Sequence, residues 1–269
     1  MAHDLVENGQ SRFLPVLSSA VAQDILSRGY DAFTLDRIYA NAPTGDLGLV
    51  GRMADRTVLD LPVHQALRER LHASVGEIVA AAVMNVRTGE SEVRVLSAPC
   101  GLGAELLRVC DRLRTEHPDV HRAVRCWGVD ADPNGTLLPE AERRVRRNGA
   151  PVRFIREDLR RRREVSAVAR REGPFHVISC MGITQKRSLE ELTEMLQAYA
   201  GMLASGGTLL LDRWEAAEKS KFTIGLGLQM GRFSGPELKK ALRAAGLVVE
   251  REHPTGEGGC VLMVARKVA

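Results

Sequence analysis

Val93-Arg-Val-Leu-Ser-Ala-Pro-Cys-Gly-Leu-Gly-Ala-Glu-Leu-Leu107 reads as an apolar strand that ends in a tight turn holding Gly101 and Gly103 and passes at once into a helix. Glycines at such a turn permit dihedrals closed to other residues and leave room for a ligand against the backbone. Ligands of open parallel sheets bind at the carboxyl ends of the strands, so this turn is the expected site. Its spacing argues against two nucleotide classes. Leu106 stands where a dinucleotide fingerprint needs a third glycine, and the Gly-Lys-Ser/Thr ending of a phosphate loop is absent. Two glycines alone would also suit an ordinary strand-to-helix turn.

The next strands carry more. Cys126-Trp-Gly-Val-Asp-Ala-Asp-Pro133 ends a strand on Asp130, a carboxylate suited to accept hydrogen bonds from both hydroxyls of an adenosine ribose. Val152-Arg-Phe-Ile-Arg-Glu-Asp-Leu159 places Asp158 at the end of a third strand, within reach of an adenine amino group. Each carboxylate alone could be a helix cap, and Asp132 before Pro133 suits that role. A glycine turn, a ribose acceptor and an adenine acceptor on successive strand ends form a joint pattern.

Further strands are expected at Phe175–Cys180, Thr208–Asp212, Leu247–Arg251 and Gly259–Ala265, with helices at Ala104–Glu116, Leu138–Arg147, Leu189–Leu203 and Gly235–Ala245. Ser188 with Glu191 and Ser234 with Glu237 read as capping boxes, and Gly206 and Gly246 as C-terminal glycines. Strand–helix alternation predicts a mostly parallel sheet covered on both faces. Upstream of Glu92 the pattern is helical. Phe13, Val16, Leu17, Ala20, Val21 and Ile25 form one apolar stripe, and Leu67, Leu71, Val75, Ile78, Val79, Ala82 and Val83 another. Residues 1–91 are thus expected to form a helical cap or substrate lid, and 92–269 a Rossmann-like domain.

Composition sets the outer limits. Hydrophobic residues make up 44%, and the longest apolar runs, such as Ile78–Met84 and Val261–Ala265, fall far short of a bilayer span. Met1–Arg12 is polar, so no secretion signal is expected. Cys100, Cys110, Cys126, Cys180 and Cys260 form no CxxC pair, which argues against structural zinc or a disulfide framework; no metal is expected and a reduced, cytoplasmic setting is. The net charge is +4, from 38 basic and 34 acidic residues. Arginines cluster at Arg143, Arg144, Arg146 and Arg147 and again at Arg160–Arg163, Arg170 and Arg171, but acidic residues are interleaved, as on a solvated helix face rather than a nucleic-acid surface.

On these residues the segment from about Val93 onward resembles the class I S-adenosylmethionine-dependent methyltransferases. The resemblance rests on Ser97-Ala-Pro-Cys-Gly-Leu-Gly103, Asp130, Asp158, Phe175-His-Val-Ile-Ser-Cys180, the Leu203-Ala-Ser-Gly-Gly-Thr-Leu-Leu-Leu211 turn and the closing Gly246–Lys267 stretch. It implies a seven-stranded, mostly parallel α/β sheet with the last strand antiparallel, and S-adenosylmethionine as cofactor. The implied cofactor-binding residues are Ser97, Ala98, Pro99, Cys100, Gly101, Gly103, Asp130, Ala131, Asp132, Asp158, Leu159, Cys180 and Met181. Arg68 of the cap is a candidate clamp for the cofactor's carboxylate, or an exposed arginine on an amphipathic helix. Two positions depart from the family pattern, which has an acidic residue at Ser97 and a glycine at Pro99. Ser97 brings no charge to the ligand's ammonium group; Glu105 could compensate, or serve only the helix dipole.

Methyl transfer is a displacement in which positioning does much of the work, so no fixed catalytic signature is required. His64, Tyr39 and Glu215 are catalytic candidates, with Tyr30 and His253 behind them, and none has a context that singles it out. The acceptor is expected near Cys180–Gln185 and Asp212–Glu215. Ser179-Cys-Met-Gly-Ile-Thr184 lacks the Asp/Asn-Pro-Pro-Tyr type of motif, which speaks against a base-directed DNA enzyme. A small-molecule acceptor methylated on oxygen, nitrogen or carbon, as in bacterial secondary metabolism, is the expected substrate. A homodimer is left open. Rival readings are an RNA methyltransferase, aminocarboxypropyl transfer or a rearrangement on the same cofactor, and a non-catalytic S-adenosylmethionine-binding protein.

Overall fold

The structure, a computed structural model, describes residues 18–44, 48–159, 162–184, 188–215, 233–257 and 259–268. Four helices come first: α1 (Ala20–Arg28), α2 (Ala32–Ala40), α3 (Gly48–Leu59) and α4 (Pro62–Arg87). Then follow β1 (Val93–Ser97), α5 (Ala104–Glu116), α6 (Pro118–Ala123), β2 (Val124–Asp130), α7 (Leu137–Asn148), β3 (Val152–Arg156), α8 (Arg162–Glu172) and β4 (Phe175–Cys180). The chain continues through α9 (Leu189–Met202), β5 (Leu203–Trp214), α10 (Gly235–Ala244), β6 (Leu247–Thr255) and β7 (Cys260–Lys267).

The seven strands form one sheet in the order β3-β2-β1-β4-β5-β7-β6. β1 to β5 run parallel, and β7 is antiparallel to both β5 and β6. The chain reverses direction in sheet order between β1 and β4, which opens a crevice at their carboxyl ends. Near-continuous apolar runs make the central strands: Val177, Ile178 and Cys180 of β4 and Leu209, Leu210 and Leu211 of β5 are all fully buried. One face is filled by Leu96, Phe175, Ile178, Leu192, Leu196 and Leu211 among others, and the opposite face by Val95, Val109, Leu113, Val177 and Leu210 with residues of α4.

Both capping boxes form, with Ser188 accepting from the Glu191 amide and Ser234 from that of Glu237. Two expectations differ. Gly206 does not end a helix; it lies inside β5 at φ 66°, near a register shift between Phe175 and Val177, and Leu203 is the C-cap of α9. Helices α6 and α8 were not anticipated, because α6 has only six residues and α8 carries Val165 and Val168 as its only large apolar residues among many charges.

The N-terminal helices have a core of their own, built from Val21, Ile25, Ile38, Val58, Leu59 and Leu67, which also touches Trp214 and Cys260. The buried Asp55 ties it together, accepting from Ser19 Oγ (2.7 Å) and from the amides of Val21 (3.2 Å) and Thr44 (3.0 Å). α4 ends at Arg87, before residue 92, and packs on both sides of the expected division. Its second half, from Leu71 to Val83, belongs to the core of the sheet. The first expected stripe begins at Phe13, Val16 and Leu17, which lie outside the described residues. Among the described residues no helix is long and apolar enough to cross a membrane.

Candidate active site

A cavity of about 730 Å³ opens where the carboxyl ends of β1, β2, β4 and β5 meet α1, α2 and α4. The glycine turn forms its floor. Gly101 and Gly103 adopt left-handed φ of 53° and 74°. A Cβ on Gly101 would stand 3.4 Å from Cβ of Ala32, so the start of α2 lies directly over the turn. Gly128 in β2 is forced by contact: a Cβ there would come within 2.6 Å of the Phe154 ring and 3.0 Å of Cys100 Sγ. Burial beside Asp130 pushes the Cys100 thiol well above its ordinary pKa, so it stays protonated and is no nucleophile.

At the β2 end, Asp130 accepts from the Gly101 amide (3.1 Å) and the Asp132 amide (3.3 Å), which fixes its carboxylate at the rim of the turn. Asp132 also lines the cavity, but its carboxylate is engaged as a cap. It accepts from the amides of Thr136 (3.1 Å), Leu137 (3.0 Å) and Leu138 (3.2 Å) and pairs with Arg156 (3.1 Å). Burial works against its charge, but those amides and Arg156 prevail and hold its pKa below the usual range.

Between β1 and β4 sits Glu105, in the first turn of α5. It accepts from Ser97 Oγ at 3.0 Å and from Ser179 Oγ at 2.9 Å, joining two neighbouring strand ends. Further along, Arg70 of α4 reaches Asp212 of β5 at 2.5 Å and donates to Tyr39 Oη at 2.7 Å. Asp212 also accepts from the Gly182 amide (2.7 Å) and Trp214 Nε1 (3.1 Å). Burial would favour a neutral guanidinium; the neighbouring Tyr39 and Asp212 outweigh it and raise the pKa of Arg70 above its ordinary value. Two contacts clasp the cap to the sheet domain beside this wall, Asp36 to Arg144 at 2.7 Å and Arg108 to the Tyr39 carbonyl at 3.1 Å.

The structure brings Ser97, Pro99, Cys100, Gly101, Asp130, Asp132 and Met181 together around the cavity, with Tyr39 opposite. Others stand away from its wall. Ala98 and Cys180 are buried in the sheet, and Leu159 in the core beneath it. Gly103 caps α5 against Phe154, while Ala131 and Asp158 follow their strands outside the lining. Asp158 donates its amide to Glu164 at 2.5 Å. Gln185, the far end of the expected acceptor stretch, lies outside the described residues, as do Arg160 and Arg161.

Arg68 is not at the cavity. Its Nη1 donates to the Leu59 carbonyl at 2.8 Å, within the cap, and the arginine at the wall is Arg70. The two are separated by two positions, about 200° around a helix, so they face opposite ways. Helical periodicity of the apolar residues, which puts Arg70 between Leu67 and Leu71, was the signal that could have found it. Glu215 is exposed and pairs with Arg213 (2.9 Å), and His253 contacts Glu77 (2.9 Å) on the outer strand.

His64 is buried behind Tyr30. The Val58 carbonyl can only accept, so Nδ1 carries the proton (2.6 Å), and Nε2 accepts from the Tyr30 hydroxyl at 2.9 Å. Burial lowers the His64 pKa to about 4, opposed by the Val58 bond and assisted by Arg68. Burial also raises the pKa of Tyr30. The pair is therefore neutral at ordinary pH. His64 is a poor proton acceptor and holds the Tyr30 hydroxyl in place.

The family described as "Putative methyltransferase" has a model that matches residues 10–134, a span from the cap through the glycine turn to the Asp130 loop. The fold is that of a class I S-adenosylmethionine-dependent methyltransferase. A protein from Bordetella parapertussis described as a possible exported protein superposes with a TM-score of 0.68, at 19% identity over 95% of this chain and 85% of that one. Magnesium protoporphyrin IX methyltransferase from Synechocystis PCC 6803, solved with S-adenosylhomocysteine bound, gives 0.60 at 16% identity over 91% of this chain and 96% of that one. An O-methyltransferase family protein from Burkholderia thailandensis gives 0.51 at 18% identity over 77% and 61% of the two chains. At such identities the likeness concerns the methyltransferase fold, including, in the first two cases, the helices before β1. No curated protein matches the sequence.

Proposed function

We propose that the protein uses S-adenosylmethionine to methylate a small-molecule acceptor held beneath the helical cap. The observation that carries this reading is the cavity itself. It runs along the strand ends from Asp130 on β2, past the glycine turn and Glu105, to Arg70 and Trp214 above β5. Its volume lies in the range of small-ligand sites, roughly 300–1,000 Å³. The donor set suits a nucleoside with an amino-acid arm. Asp130 has no cation partner among the described residues and stands ready for ribose hydroxyls, and the backbone of Gly101 admits close approach. S-adenosylmethionine supplies an electrophilic methyl group.

The chain's own residues would bind and orient. Ala32, Phe33 and Leu35 of α2 cover the nucleoside end and exclude water, while Tyr39, Arg70 and Trp214 face the acceptor end. Arg70, held by Asp212, favours negative charge on an acceptor atom beside it, so an acidic acceptor hydroxyl would need no strong base. Bacterial secondary metabolism in the cytoplasm is the setting we favour, since a cavity of about 730 Å³ suits a small metabolite better than a polymer.

Calorimetry with S-adenosylhomocysteine, followed by mass spectrometry of acceptor panels incubated with S-adenosylmethionine, tests the reading. Heat of binding and acceptors heavier by one methyl group are expected. Absence of binding would overturn it, and transfer of an aminocarboxypropyl group would redirect it.

A further inference from the structure

Five carboxylates line the cavity: Asp31, Asp36, Glu105, Asp130 and Asp132. Three of them are matched by arginines, Asp31 by Arg28 (3.1 Å), Asp36 by Arg144 (2.7 Å) and Asp132 by Arg156 (3.1 Å). Asp130 is half-buried and held by two backbone amides. Glu105 differs from all of these. It is 8% exposed, and its partners are two neutral hydroxyls, those of Ser97 and Ser179. No cation pairs with it among the described residues.

A carboxylate offers about four acceptor positions, and the two serines occupy two. Burying an anion without a counter-charge is costly, and the partial charge of a helix N-terminus offsets only part of that cost. The direction left open to Glu105 is the cavity. We infer that Glu105 binds the primary ammonium group of the cofactor's amino-acid arm, taking over the charge that Ser97 does not carry. This inference rests on the reading above that the cavity holds S-adenosylmethionine.

Position supports the assignment. In the sheet order β2-β1-β4, Asp130 marks the nucleoside end on β2, and Glu105 is pinned to the next two strand ends through Ser97 on β1 and Ser179 on β4. The amino-acid arm leaves the ribose in that direction if the methyl group is to meet an acceptor near Arg70. Of the two cationic centres in the cofactor, the sulfonium has no N–H to donate, whereas the ammonium has three donors for the free carboxylate positions. Ser97 and Ser179 act as positioning residues that hold the carboxylate in one rotamer.

Calorimetry on the full-length protein with three ligands tests the assignment: S-adenosylhomocysteine, its analogue with the amino group replaced by hydrogen, and 5′-methylthioadenosine. The wild type is expected to bind S-adenosylhomocysteine about ten- to a hundredfold more tightly than the deaminated analogue, the range for a charge-assisted hydrogen bond. Glu105→Gln is expected to lose that discrimination, with the affinity for the deaminated analogue and for 5′-methylthioadenosine unchanged. Equal weakening of all three ligands in the variant, or undiminished discrimination, would overturn the inference. Should the variant fail to fold, the wild type still decides: equal affinity for the amino and deaminated compounds rejects the role of Glu105 while leaving the cofactor reading intact. A wild type that binds none of the three removes the cofactor reading and this inference together.

Discussion

The guanidinium of Arg70 and the carboxylate of Asp212 meet at 2.5 Å across 142 residues of sequence, with side-chain exposures of 5% and 0%. This contact joins the helical cap to the fifth strand inside the cavity wall, and Tyr39 and Trp214 complete its hydrogen bonds. Removing one partner leaves a buried charge without its counter-ion, which costs about 3–5 kcal/mol. Arg70→Met and Asp212→Asn should each lower the unfolding free energy by about that amount. The double variant should recover much of the loss, while methyl transfer stays low in all three. Denaturant unfolding with activity assays on the same preparations checks this, and additive losses in the double variant would count against a coupled pair.

Asp130 and Asp132 stand at the same strand end with different duties. Asp130→Ala should weaken binding of S-adenosylhomocysteine by about tenfold or more with little change in melting temperature. Asp132→Ala should do the reverse, because it removes a helix cap worth about 1–2 kcal/mol together with the Arg156 contact. Calorimetry and thermal melts on both variants separate the two, and equal affinities would refute the assignment.

His64 predicts a pH dependence of stability. Its folded pKa of about 4 lies below the unfolded value of about 6.5, so the unfolded chain takes up the proton first as pH falls. Its contribution is complete above pH 6.5 and is lost as pH falls towards 4, on the order of 3 kcal/mol across that window. His64→Gln should flatten the stability profile between those values. An unchanged slope in chemical denaturation at several pH values would show that His64 does not control it.

Gly128 has no room for a side chain. Gly128→Ala should destabilise the protein by about 1–3 kcal/mol through contact with Phe154 and Cys100. Adding Phe154→Leu should relieve part of that loss, as read by thermal unfolding. A fully tolerated alanine would mean that Phe154 and Cys100 yield more than their contacts suggest.

Much of this protein is legible without coordinates. Phe175–Cys180 coincides with β4, and both capping boxes close where the residues placed them. The glycine turn and Asp130 meet because they stand at the ends of neighbouring strands. β5 runs longer than its apolar run, since Leu203 to Gly207 extend the pairing through polar and glycine residues that carry no alternation.

Other decisions required the folded chain. Local periodicity places Arg70 among the apolar residues of α4, but that it meets Asp212 depends on how α4 settles on the sheet. Ser179 joins Glu105 across 74 residues, and Tyr30 joins His64 across 34. Such pairings arise only when distant segments close around one space. The sequence by itself determined the alternation of strands and helices and the chemistry at each strand tip, because those are short-range properties. Tertiary structure alone decided which charges are buried, which are matched, and which are left facing the cavity, because electrostatic energy depends on distances that only chain closure sets.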